Sequence, residues 1–84
     1  MKLPRGIGGD DLVKLLKRYG YTRIHQTGSH VKISVMIDGK PHTITIPLHS
    51  PLRVGTFHHI LKDIAEHLKI PVSQVIEELF PSHT

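Results

Sequence analysis

Residues 28–46 read GSHVKISVMIDGKPHTITI, a stretch whose side-chain period is two rather than 3.6. Val31, Ile33, Val35 and Ile37 fall on one face of an extended chain, with His30, Lys32, Ser34 and Met36 on the other. Past Asp38-Gly39 the alternation resumes, with Ile44 and Ile46 inward and Thr43 and Thr45 outward. Such alternation marks strands with one wet face, and Asp-Gly supplies the positive φ angles of a tight hairpin. Strands are therefore predicted at His30–Ile37 and His42–Ile46. Thr27-Gly28 marks an earlier turn, behind a strand over Tyr21–Gln26, so the three form an antiparallel meander.

Helical periods flank the meander. Leu12, Leu15, Leu16 and Tyr19 fall at i, i+3, i+4 and i+7, with Lys14, Lys17 and Arg18 on the other side. Asp10 and Asp11 suit the positive end of that helix, and Gly20 suits its end. Phe57, Ile60, Leu61, Ile64, Ala65 and Leu68 form a second stripe, predicting a helix from Thr56 to about Leu68. Pro71, followed by Val72, Val75, Ile76 and Leu79, opens a short third helix running to Phe80. The fold class is α+β: an α-β-β-β-α order with a three-stranded antiparallel sheet and a C-terminal third helix. A single domain is expected over residues 1–84, with its core from about residue 8 to 80 and a flexible lead-in at 1–9.

With 84 residues, 38% of them hydrophobic, the chain can build one small core. A doubly wound nucleotide-binding fold or a (β/α)₈ barrel needs well over a hundred residues and is excluded. Eleven Lys and Arg oppose seven Asp and Glu, a net charge of +4. Residues 1–70 hold 11 positive and 5 negative charges, or +6, so the basic character lies in the first two-thirds. That balance points to a polyanionic partner. The chain has no cysteine, which removes disulfides, thiolate nucleophiles and Cys-ligated metal. No apolar run approaches the ~18 residues of a membrane span, and residues 1–11 lack the apolar core of a secretion signal. A cytoplasmic protein without a membrane partner is expected.

Gly28-Ser29-His30 is the most informative element for chemistry, because it sets an imidazole where a turn enters a strand, on the face not used for the core. An imidazole titrates near pH 6.5 and exchanges protons at neutral pH. RNA suits such a group, since its own 2′-hydroxyl attacks the adjacent phosphate once deprotonated, and the protein then supplies neither nucleophile nor metal. General acid–base help contributes roughly 10²- to 10⁴-fold, and cations at the phosphate add to it. Alternatively, His30 is a turn histidine bonded to local backbone.

His49 continues the outward parity of the third strand into the loop Pro47-Leu48-His49-Ser50. It reads as a second acid, a phosphate donor or a loop residue against the sheet edge. Lys14, Lys17, Arg18, Lys32 and Arg53 can track phosphates, although each is equally a solvated cation. His58 and His59 are adjacent on a helix, about 100° apart, and cannot share a metal. His25, His42, His67 and His83 have no partner at a recognised ligand spacing and read as surface residues, so neither metal nor cofactor is expected. With few aromatics, a base-stacking platform is not evident.

The succession of a helix, Gly20-Tyr21, Gln26-Thr27-Gly28-Ser29-His30, an Asp-Gly hairpin, Ile46-Pro47-Leu48-His49, Gly55-Thr56 and Ile60-Leu61 resembles the HicA (YcfA-like) toxin family, from about Gly8 to Phe80. The resemblance implies a double-stranded-RNA-binding-domain-like fold, an mRNA interferase that blocks translation, and a HicB-like antitoxin that covers the active face. By motif position it puts the essential histidine at His30. Two positions depart from the pattern: His25 stands where the family often has Arg, and Ser50-Pro51-Leu52-Arg53 replaces a stretch richer in Gly and Lys. The leading expectation is a metal-independent endoribonuclease. In it His30 exchanges protons, Lys32, His49 and Arg53 hold the phosphate, Gly28 and Ser29 fix the imidazole's approach, and Lys14, Lys17 and Arg18 contact RNA. A non-catalytic duplex-RNA-binding module and an accessory interaction subunit are the rival readings.

Overall fold

The computed structural model describes residues 3–81. Its order is α1 (Gly9–Leu16, extended by a 3₁₀ turn at Lys17–Tyr19), β1 (Thr22–Thr27), β2 (His30–Ile37), β3 (Lys40–Pro47), α2 (Val54–Leu68) and α3 (Val72–Leu79). The strands lie in the order β1-β2-β3 and both pairings are antiparallel. This is the predicted α+β fold with its third helix.

Both hairpins turn on two residues, Thr27 facing His30 and Ile37 facing Lys40. In the second, Asp38 and Gly39 have φ of 51° and 77°, which matches the twist of the strands they join. Parity then decides the layers. Val31, Ile33, Ile44 and Ile46 face the helices and pack with Leu12, Val13 and Leu16 of α1 and Phe57, Ile60, Leu61 and Ile64 of α2. Each fully buried aliphatic side chain contributes roughly 1.5–3 kcal/mol. α3 buries Val75, Ile76 and Leu79, and Phe80 meets Phe57 edge to face at 5.8 Å.

Three details depart from the sequence reading. β1 carries a bulge between Arg23 and His25, so Ile24 has no partner in the register. Tyr21 and Arg23 belong to the helix-side face, whereas His25, beyond the bulge, pairs with Lys32 and moves to the outer face. α2 starts at Val54, two residues ahead of the prediction, and β3 spans Lys40–Pro47 rather than His42–Ile46. The lead-in is tied down at its end: the Ile7 carbonyl accepts from Leu52 N–H at 2.8 Å, and Gly9 N–H donates to the His49 carbonyl at 2.9 Å. Gly9 permits this approach, because a Cβ there would run into the Pro47 carbonyl.

Candidate functional site

His30 is exposed and opens β2 directly after the Gly28-Ser29 turn. Gly28 takes φ +55°, and a Cβ on it would meet only open space, so backbone conformation rather than crowding favours glycine there. The Ser29 carbonyl accepts from Leu48 N–H at 2.6 Å, which fastens the turn to the loop after β3. That loop carries His49. Its ring lies 6.4 Å from the ring of His30, centroid to centroid, at 68° between planes.

His30, Pro47, His49, Leu52, Arg53 and Thr56 line one open cleft. Arg53 is the N-cap of α2, and its carbonyl accepts from Phe57 N–H at 2.9 Å. The first N–H groups of α2 have no acceptor within the helix, and its first turn holds no acid, so the positive end of the dipole opens beside the cleft. A guanidinium, a helix N-terminus and two imidazoles thus converge on one opening. The arrangement suits a phosphate with a proton to lose or gain beside it.

A profile of the HicA toxin of bacterial toxin–antitoxin systems matches residues 9–65, most of the chain. The chain belongs to the HicA toxin family. Membership implies an antitoxin partner. Comparison with curated proteins and with solved structures gives no significant match. Among the described residues, no helix of this HicA-family protein is long and apolar enough to cross a membrane.

The remaining predicted contacts of the HicA-family chain divide by place. Lys32 is exposed on the outer sheet face, two residues along β2 from His30, with His25 and Thr45 as its cross-strand neighbours. His25 Nε2 and the Thr27 hydroxyl are 2.8 Å apart. Lys14, Lys17 and Arg18 are exposed on the helical layer instead. Lys14 pairs with Asp10 at 3.6 Å, and Asp10 also accepts from Arg23 at 2.7 Å. These partners hold the Asp10 carboxyl below its usual range, Arg23 having the larger effect. α1 starts next to the His49 loop and runs away from it, so the fold does not bring Lys17 and Arg18 to the cleft.

His42 corrects the surface reading given to it. Its side chain is 8% exposed, on the helix-side face of β3 two residues before Ile44. Nδ1 lies 2.6 Å from the Tyr21 hydroxyl, and Nε2 lies 3.5 Å from an Asp63 carboxylate oxygen. Burial pushes the Tyr21 hydroxyl up to about 12, with the Asp63 charge adding to the rise. The His67 ring stacks on His42 at 3.5 Å. The signal was in the sequence: His42 shares the parity of Ile44 and Ile46, and Asp63 and His67 stand four apart on one helix. His58 and His59 are exposed, as expected, while His83 lies outside the described residues.

Proposed function

We propose that this HicA-family protein is a metal-independent endoribonuclease toxin acting on cytoplasmic mRNA, with His30 as its catalytic acid–base group. The observation that carries the reading is the cleft, where His30 and His49 stand 6.4 Å apart beside Arg53 and the α2 N-terminus. A phosphodiester seated there has an imidazole on either side. One ring takes the 2′-hydroxyl proton as the oxygen attacks phosphorus. The 5′-oxygen leaves with a proton from the other, giving a 2′,3′-cyclic phosphate and a 5′-hydroxyl. Arg53 and the α2 N–H groups face the charge that grows on the phosphoryl oxygens, Lys32 holds a neighbouring phosphate, and Gly28 and Ser29 set the approach of the ring. DNA lacks the attacking hydroxyl and is left intact.

The partner in this reading is a HicB-like antitoxin that occludes the cleft. Purified protein incubated with RNA and chelator tests the activity. The wild type yields fragments ending in cyclic phosphate, and His30→Ala, its fold checked by circular dichroism, cuts at least 10²-fold more slowly. Undiminished cleavage by His30→Ala removes the mechanism. Intact RNA that shifts in a gel with the wild type marks a binding module instead.

A further inference from the structure

Away from the cleft, on the other face of the sheet, the fold gathers two imidazoles and a carboxylate. His42 comes from β3, while Asp63 and His67 come from successive turns of α2. One ligand atom from each of the three lies within 4.8 Å of the others. We propose that His42, Asp63 and His67 bind a divalent metal ion of the zinc type, which ties β3 to α2.

Donor chemistry and spacing both favour it. Two neutral imidazoles and one carboxylate form a nitrogen–oxygen set suited to zinc. With bonds of about 2.0–2.1 Å, tetrahedral ligand atoms stand roughly 3.3–3.5 Å apart. His42 Nε2 is 3.5 Å from one Asp63 oxygen, and His67 Nδ1 is 3.3 Å from the other. Both separations exceed the usual N–H···O optimum, and each by itself has the length of one edge of a coordination tetrahedron, with a rotation of the carboxylate bringing one oxygen to both rings.

The second layer is in place as well. Tyr21 occupies Nδ1 of His42 at 2.6 Å, which leaves Nε2 turned towards Asp63. Such an outer partner fixes tautomer and ring direction in metal sites. His67 Nδ1 also donates to the Asp63 carbonyl at 3.0 Å, a bond that gives way when the ion takes the place of that proton. The two rings are stacked within 17° of parallel, so His67 turns out of the stack to aim its lone pair. At 46% exposure its side chain has room to do so. Three protein ligands leave a fourth position for water.

The role is structural. His42 pairs with Val35 and His30 with Pro47, so the two sites stand five positions apart along β3, roughly 17 Å of strand, on opposite faces. An ion joining residue 42 to residues 63 and 67 closes the segment that contains the loop of His49 and Arg53, and so holds that loop's two anchors together. Catalysis in the cleft needs no metal in this scheme.

Untagged full-length protein, stripped with chelator, is titrated with zinc in a thermal unfolding assay and with cobalt in an absorption assay. At roughly a hundredfold excess over Kd, zinc raises the wild-type midpoint by about 10 °C or more, and cobalt gives the visible band of a tetrahedral site. His67→Ala and Asp63→Asn, both altered at partly exposed positions, fold without metal and lose the shift and the band. The double variant His30→Ala/His49→Ala and the variant His59→Ala keep both. A wild type without shift or band overturns the proposal, as does a shift that survives in His67→Ala or vanishes with the cleft histidines.

Discussion

Tyr19 and Glu78 show how far one contact at the end of α1 reaches. The Tyr19 hydroxyl donates to Glu78 Oε1 at 2.7 Å, bridging 59 positions of chain and clasping α3 to the 3₁₀ turn. Burial first, then the bond to Glu78, raises the Tyr19 hydroxyl far above its ordinary value of 10.0. The same bond, helped by Gln74, lowers the Glu78 carboxyl below 4.5. A lowered carboxyl contributes stability above its unfolded value and loses it as pH falls through the folded one. A raised phenol contributes below pH 10.0 and loses it as pH rises towards the folded value. The stability gap between wild type and Tyr19→Phe is therefore level from about pH 5 to 9 and closes on either side. Urea unfolding across that range measures it, and a gap that peaks outside the plateau contradicts the linkage.

At the scale of elements, the Asp38-Gly39 turn joins β2 to β3 with both residues at positive φ. Gly39→Ala puts a Cβ into a left-handed conformation and costs about 1–2 kcal/mol, with nothing nearby for the methyl to strike. Equilibrium unfolding reads that directly. The strands on either side were legible because every inward residue from Val31 to Ile37 is β-branched and every outward one is not. β1 was less so: nothing in Thr22-Arg23-Ile24-His25 announces a bulge, since Ile24 looks like any strand residue, and the bulge alone sends His25 outward beside Lys32. At His42 residue type and parity disagree: an imidazole suits the surface, but its parity is that of Ile44 and Ile46, and the Tyr21 hydroxyl makes the buried ring tolerable there. The outward-facing start of β2 at His30 was legible from parity, its turn lying one residue later than the Thr27-Gly28 reading. The neighbourhood of Arg53 was not, since α2 begins two residues earlier than the predicted Thr56 and only that start makes Arg53 its N-cap.

For the whole molecule, charge and place separate. The net +4 favours polyanions in general, whereas the cleft sets Arg53 and the α2 N-terminus beside two imidazoles. Arg53→Ala is expected to slow cleavage at saturating RNA by about 10²-fold. Lys17→Ala with Arg18→Ala weakens binding and flattens its salt dependence by up to about two units of slope, leaving the saturated rate within a factor of a few. Rates and affinities measured over a salt series distinguish the two, and equal losses of saturated rate would show that the helical layer touches the reacting phosphate.

The Gly9 N–H bond to the His49 carbonyl brings the start of α1 to the lip of the cleft. In the proposed nuclease, a purification handle or fluorescent fusion joined ahead of Gly9 would enter the fold beside the cleft and could crowd it, counterfeiting a poor enzyme. The Asp38-Gly39 tip, at the opposite end of the β2–β3 hairpin, is the safer place for a reporter.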